Sequence, residues 1–116
     1  MPVKKELKFT IELDDNNHPI AIEWEATDGG EGPRKVSSIM VHMWDKEVKN
    51  SLSIDLWTRD MLLDHMNIHV FHQLMKTADS YARATGNQEG AAKMREFAKD
   101  FAIQAKAYRD SKPSRG

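Results

Sequence analysis

Three histidines in one stretch of the chain have a spacing that could bind a metal ion. His65 and His69 are four residues apart and His72 follows three residues later, so a helix would place all three on one side. Histidine is a common zinc ligand, but the zinc-protease motif needs a glutamate directly after its first histidine, and Met66 stands there. Three interpretations of these histidines are therefore open. They form a solvated polar helix face, they bind a metal ion adventitiously, or they form a functional metal site.

Other catalytic chemistry has no support in the residue types. There is no cysteine, and the serines lack the strand–turn–helix context that exposes and activates a nucleophile. Glu12, Glu23 and Glu25 alternate with apolar residues, so we expect them on a solvated sheet face rather than paired for acid–base work. We predict no catalytic residue, no cofactor and no enzymatic activity.

The composition describes one soluble globular domain. The chain has 116 residues, 40% of them hydrophobic and 30% charged, with a net charge of −1. This balance gives no reason to expect nucleic acid as a partner, and no apolar run approaches the roughly 20 residues that span a bilayer. We predict a single α+β domain over residues 1–110, a flexible tail over 111–116, a cytoplasmic location and no membrane insertion.

The first sixty residues predict two hairpins, of which the first joins residues 7–13 to 20–26. Apolar and polar residues alternate in both segments, and a cluster of turn formers separates them. Antiparallel pairing then places Leu13 opposite Ile20, Ile11 opposite Ile22 and Phe9 opposite Trp24.

The second predicted hairpin joins residues 36–44 to 51–57. Burying the aliphatic side chains of both strands permits one register, because a slip of one residue would bury Asp55. The pairs on the aliphatic face are then Met43 with Leu52, Val41 with Ile54 and Ile39 with Leu56. The pairs on the outward face are Trp44 with Ser51, His42 with Ser53, Met40 with Asp55 and Ser38 with Trp57.

Apolar spacing changes to three and four after residue 61, which predicts two amphipathic helices. The first runs over about 62–85, with Thr58 or Asp60 as its cap and Gly86 at its end. The second runs over about 88–109, and its predicted apolar stripe is Met94, Phe97, Ala98, Phe101, Ala105 and Tyr108. The economical fold is a four-stranded antiparallel sheet followed by two helices packed on its aliphatic face, in the α+β class.

The outward face of the second hairpin is apolar without a predicted cover. Met40, Trp44 and Trp57 lie on it together with Asp55, while both helices are assigned to the opposite face. Tryptophan and methionine are enriched in the centres of protein interfaces. We predict an interface at these four residues; a helix or the tail folding over them is the alternative.

Four short motifs occur in the order and approximate spacing of one known family. They are Trp24-x-Ala26-x-Asp28-Gly29-Gly30, Val41-x-x-Trp44-Asp45, Ile54-Asp55-Leu56-Trp57-Thr58-Arg59-Asp60-Met61 and Phe71-His72-Gln73. Over roughly residues 6–86 the chain resembles the gliding motility protein GldC family. The resemblance implies a small cytoplasmic accessory protein of a bacterial gliding machinery, without established enzymatic activity, and it carries over no catalytic residues.

Two other functions remain open. Four antiparallel strands followed by two helices is also the layout of the SecB-type export chaperone, which would make the apolar sheet face or a groove beside it a binder of extended polypeptide. The third hypothesis is a metal-binding protein that uses the three histidines. The partner expected under the first two is a protein of a motility or export machinery, with a homo-oligomer left open.

Overall fold

The computed structural model describes residues 2–27 and 32–107. Strands precede two helices, as the change of hydrophobic period predicts, but the described residues contain five strands rather than the predicted four, and both sheets are antiparallel. The elements are β1 (Leu7–Leu13), β2 (Pro19–Ala26), β3 (Arg34–Val36), β4 (Ser38–Asp45), β5 (Asn50–Trp57), α1 (Leu63–Thr85) and α2 (Gln88–Ala105). The α+β class is therefore confirmed.

The single four-stranded sheet was a wrong prediction. The strands form one sheet in the order β1-β2-β3 and a separate two-stranded sheet of β4 and β5. The predicted third strand is divided at Ser37, where the chain bends, so its first part pairs with β2 and its second with β5. A strand that changes sheets at a bend is the usual way to turn a corner between two small sheets.

The first hairpin has the predicted register over most of its length. Phe9 lies opposite Trp24 and Ile11 opposite Ile22. An irregularity between Glu12 and Leu13 then places Leu13 opposite Pro19, so the predicted partner Ile20 is wrong. Extra residues of this kind are common where a strand enters its turn.

The β4–β5 register is confirmed at every predicted pair. Its turn is closed by Asp45, whose carboxylate accepts hydrogen bonds from the backbone N–H groups of Glu47 and Val48. Lys49 takes the left-handed conformation, φ 56°. The local alternation and the turn residues agree on one register, which explains why it was predictable.

The chain divides into two compact units, which we call the strand unit (residues 1–61) and the helical unit (residues 62–116). In the strand unit Ile22 is buried, with 1% of its surface exposed. The aliphatic face of the β4–β5 hairpin is less enclosed than predicted, because Met43, Leu52 and Ile54 keep between 43% and 49% of their surface exposed. Packing of the two helices on that face stays a prediction, as does a single domain over residues 1–110.

Helix α1 begins without the predicted cap. Its N-cap is Leu62, which makes no side-chain cap hydrogen bond, whereas the Thr58 hydroxyl donates to Asp60 instead. The end of α1 is as predicted: Gly86 is left-handed at φ 75° and its N–H bonds the Ala82 carbonyl. Glycine adopts this conformation without the steric cost that a Cβ brings.

Helix α2 ends four residues earlier than predicted. Asn87 caps its start by accepting a hydrogen bond from the Gly90 N–H, and the helix stops at Ala105 because Lys106 turns left-handed. Tyr108, placed on the apolar stripe by the sequence, lies outside the described residues, as does the predicted tail over 111–116. Neither helix in the described part of the chain has the length and apolar content needed to cross a bilayer.

The two helices pack against each other through small residues. The buried side chains are all alanines: Ala78 on α1, and Ala91, Ala98, Ala102 and Ala107 on or just after α2. Phe97, predicted on the buried stripe, is 62% exposed. Large side chains on both helices, among them Val70, Leu74 and Phe101, are half-buried, so the alanines are the most deeply buried part of a mixed apolar surface.

Candidate functional site

The β4–β5 register places all four predicted interface residues on one face of the hairpin. Met40 lies directly opposite Asp55, and Trp57 lies opposite Ser38 in the next pair on that face. Trp44 and Trp57 are 66% and 51% exposed, and Met40 is half-buried. A face of this composition is available to a partner.

Trp44 does not join the other three. It is six residues from Ser38 along β4, and Ser38 is the partner of Trp57. At roughly 3.3 Å per residue, the two tryptophans are separated by roughly 20 Å along the strands. The hairpin therefore gathers Met40, Asp55 and Trp57 into one cluster, which we call the Trp57 cluster, and leaves Trp44 at the far end.

A surface groove of about 590 Å³ lies beside this cluster. One wall is the end of β5 and the other is the turn and first residue that lead into β2. The residues around the groove are Asn16, His18, Pro19, Asp55, Leu56, Trp57 and Arg59. Pro19, Leu56 and the Trp57 ring provide apolar walls, and polar groups surround them. A groove of this size can take one or two large side chains of a partner.

Sequence reasoning missed the wall of the groove that comes from the first hairpin. Asn16, His18 and Pro19 were read only as turn formers, and Arg59 only as part of a family motif. The residue types gave no sign of the pairing, because Arg59 is far along the chain from its structural neighbours. The signal that existed was the motif itself, which places Arg59 two residues after Trp57.

Arg59 joins the end of β5 to the first hairpin. Its guanidinium forms an ion pair and hydrogen bond with the Asp14 carboxylate, 45 residues earlier. Its backbone N–H donates to the Pro19 carbonyl at 3.1 Å. These two contacts join the end of β5, which lines the groove on one side, to the turn and Pro19, which line it on the other.

Asp14 is the centre of this junction. One carboxylate oxygen accepts hydrogen bonds from the backbone N–H groups of His18, at 2.9 Å, and Asn16, at 2.8 Å, while the other faces Arg59. The hydrogen bond from His18 lowers the pKa of the Asp14 carboxyl below its ordinary value; desolvation opposes this, and Arg59 and Asn16 add to the lowering. The ionised carboxylate is thus the form that the folded chain stabilises.

Thr58 anchors the other side of the junction. It is 5% exposed, its N–H donates to the Ser37 carbonyl at 2.9 Å, and its hydroxyl donates to Asp60 at 2.7 Å. Thr58 and Arg59 therefore hold β5 to the bend between β3 and β4 and to the start of β2. In the motif of residues 54–61, Thr58 and Arg59 form the contacts of the junction, whereas Trp57 remains half exposed beside it.

The three histidines lie on helix α1, as predicted. His65 and His72 are exposed, His69 is half-buried, and the His72 ring contacts that of Phe71 with centroids 6.0 Å apart. Within residues 2–27 and 32–107, no group of three or more His, Cys, Asp or Glu side chains is arranged to hold a metal ion. Metal binding by His65, His69 and His72 stays a prediction, which calorimetric titration with zinc would test.

Comparison with known proteins identifies the family. The family model described as "Gliding motility-associated protein GldC-like" matches residues 19–107, from the start of β2 to the end of the described helical unit. No curated protein and no solved structure matches the chain. The match covers more than half of the chain and includes the groove-forming end of β5 together with both helices. The chain belongs to the GldC-like family of gliding motility-associated proteins.

Proposed function

We propose that this chain is a non-enzymatic accessory protein of a bacterial gliding machinery that acts in the cytoplasm by binding a protein partner. The binding surface is the Trp57 cluster together with the adjoining groove, and Trp44 extends it at the far end of the hairpin. Family membership supports the process, and the half-exposed Trp57 beside a formed groove carries the choice of surface.

The physical argument for this surface is the free energy that would be gained by removing its exposed apolar groups from water. Trp57 keeps 51% of its surface exposed next to the apolar walls of Pro19 and Leu56. A partner side chain that filled the groove would bury all three, and apolar burial contributes about 25 cal/mol per Å². Asp55 and Arg59 at the margin supply the polar rim that gives such a contact its orientation.

Affinity capture from the native cell tests the proposal. The wild-type chain, Trp57→Glu and Met40→Glu serve as baits, with Val48→Glu as the matched control because Val48 is an exposed apolar residue in the turn of the same hairpin. We expect one protein to be retained stoichiometrically by the wild type and the control and lost from the two cluster variants, since a carboxylate would be buried without a partner. Trp44→Glu should weaken retention less.

The purified partner then allows a direct measurement. Titration calorimetry should give one binding site per chain, with affinity reduced at least about tenfold by Trp57→Glu, because tryptophan is a frequent interface hot spot. Equal affinity for Trp57→Glu and the wild type would overturn the assignment of the surface. If cells from which the gene has been deleted glide over a surface as the wild-type cells do, the link to gliding is overturned.

A second function, the binding of extended unfolded polypeptide as a chaperone, is favoured by one observation. Met43, Leu52 and Ile54 on the other face of the hairpin are also nearly half exposed. A sheet face with accessible apolar side chains could bind the alternating side chains of an extended segment. The first proposal requires a specific folded partner, whereas this one requires tolerance of many sequences.

Suppression of aggregation separates these two functions. A chaperone should keep several unrelated, chemically denatured proteins soluble on dilution at near-stoichiometric ratios. Leu52→Ser and Ile54→Ser should abolish the effect, and Trp57→Glu should preserve it. Failure of the wild-type chain to suppress aggregation of any of the test proteins would eliminate the chaperone function.

A further inference from the structure

The outer edge of β1 is an unpaired strand edge in the described part of the chain, away from the Trp57 cluster. β1 is the first strand in the order β1-β2-β3, so one of its edges is paired with β2 and the other is not. Among residues 2–27 and 32–107, no backbone hydrogen bond reaches that outer edge. Unpaired strand edges template pairing with another chain unless they are short, covered or interrupted by proline or a bulge.

The hydrogen bonds of the hairpin show which backbone groups point outward. The Thr27 N–H donates to the Glu6 carbonyl, which makes Glu6 and Thr27 a hydrogen-bonded pair. Antiparallel pairs alternate, so Lys8, Thr10 and Glu12 also direct their N–H and C=O groups toward β2. The outward groups therefore belong to the four odd-numbered residues of the strand, which are Leu7, Phe9, Ile11 and Leu13.

The sequence of this strand is complementary to itself. We propose that the outer edge of β1 pairs with β1 of a second copy of the chain, in a two-fold antiparallel arrangement centred on Thr10. Thr10 then lies opposite its own copy, and each Lys8 lies opposite the Glu12 of the other copy. On the apolar face, Phe9 lies opposite Ile11 and Leu7 opposite Leu13. A two-fold contact requires this kind of self-complementarity.

The register satisfies the backbone and the charges together. It pairs odd residues with odd residues, which are the ones whose backbone groups point outward, and so it forms about six to eight inter-chain hydrogen bonds. The Lys8–Glu12 pairs then fall at the positions without backbone hydrogen bonds, where facing side chains approach most closely. Shifting the centre to Phe9 or Ile11 would also satisfy the backbone but would separate the opposite charges.

No other strand in the described part of the chain has this property. Charged side chains on β2, β4 and β5 are acidic only, and those on the three-residue β3 are basic only. Self-pairing of these strands would leave charges unmatched or place like charges together. β1 carries one residue of each sign, placed symmetrically about its centre, and it contains neither proline nor glycine.

Side-chain exposure on the apolar face agrees with a second copy as the occupant. Leu7 is 68% exposed, Phe9 41% and Leu13 49%. Pairing would place each of these side chains beside an apolar side chain of the other copy and extend the three-stranded sheet to six strands. Leu13 follows the irregularity of β1, so the central pairs Phe9–Ile11 and Lys8–Glu12 carry the register.

Charge reversal with rescue tests this arrangement by sedimentation equilibrium over micromolar concentrations. Lys8→Glu and Glu12→Lys each turn two attractive pairs into two repulsive ones, so each variant should dimerise about tenfold or more weakly than the wild type. The double variant Lys8→Glu/Glu12→Lys restores both attractions and should dimerise like the wild type. Mixing the two single variants should give a heterodimer, because each then faces the opposite charge.

Matched controls separate register from net charge. Lys46→Glu and Glu47→Lys make the same charge changes in the β4–β5 turn and should leave the wild-type dimer unchanged. Circular dichroism verifies that each variant is folded. A wild-type chain that is monomeric at 100 µM, on the order of the weakest dimers of interest, would overturn the proposal. Single variants that dimerise like the wild type, or a double variant that is not rescued, would overturn it as well.

Discussion

The contacts inside the strand unit differ in kind from the contacts inside the helical unit. In the helical unit the buried positions are alanines on facing sides of α1 and α2, and the large side chains Leu63, Phe97 and Ile103 are exposed. In the strand unit the elements are joined by polar groups at one junction, where Asp14 binds Arg59 and Thr58 binds the bend at Ser37.

This difference has a consequence for where a partner can bind. Two small sheets joined by a polar junction leave a groove beside it, whereas the side chains most deeply buried in the described part of the helical unit are small. The strand unit therefore provides the concave surface that we propose for the partner. Enlarging a buried alanine of the helical unit should lower the free energy of unfolding most. Removing a charge at the junction should have a smaller effect that depends on pH.

The largest effect is expected from Ala98→Leu. Ala98 is fully buried on α2, so three added carbons must displace the groups that cover it, and overpacking costs about 1–3 kcal/mol. Urea unfolding followed by circular dichroism at 222 nm measures the free energy of unfolding. Ala92→Leu, at an exposed position of the same helix, is the matched control and should be nearly neutral. Equal stability of the two variants would contradict close helix packing.

Gly86→Ala should have the next largest effect. Within the described residues a Cβ at Gly86 meets no atom within 4 Å, so the cost comes from its left-handed conformation, about 1–2 kcal/mol. Thermal unfolding measures the loss. Gly86→Asn should recover part of it, because asparagine tolerates this conformation better than alanine does. If alanine and asparagine were equally destabilising, the conformational explanation would fail.

Asp14→Asn tests the polar junction through its pH dependence. Because the folded chain lowers the pKa of Asp14, ionisation of this carboxylate stabilises the fold above its unfolded pKa, and the benefit is lost as the pH falls through the folded value. Asparagine keeps the turn acceptor but removes the charge that pairs with Arg59. The stability difference between wild type and variant should be present at pH 7, shrink as the pH falls below about 4, and disappear only below the lowered folded pKa. A difference independent of pH would show that the charge is not what matters.

The smallest effect is expected from Phe97→Ser. Phe97 is 62% exposed, so its replacement should change the free energy of unfolding by no more than about 0.5 kcal/mol. Phe101→Ser is the matched comparison on the same helix, since Phe101 is half-buried and should cost more. Comparable losses for the two phenylalanines would contradict the exposed placement of Phe97 and favour its predicted place on the apolar stripe.

The sequence by itself determined the elements that depend on near neighbours. Alternation with a period of two specified every pair of the β4–β5 hairpin, because a one-residue slip would exchange its two faces. The change to a helical period specified α1 and α2, and Gly86 specified where α1 ends, since a left-handed residue stops a helix wherever it lies. The motifs from Trp24 to Gln73 were likewise enough to indicate the family.

Only the tertiary structure decided how these elements meet. Nothing in the alternation of residues 36–44 shows that the chain bends at Ser37 and changes sheets, because each half remains a regular strand. Asp14 and Arg59 are 45 residues apart, and no local pattern pairs them. The period of a helix shows which residues share a side, but it does not show that Phe97 is left 62% exposed while its neighbour Ala98 is fully buried. These features depend on distances between residues that are far apart in the chain, and a local sequence pattern carries no information about such distances.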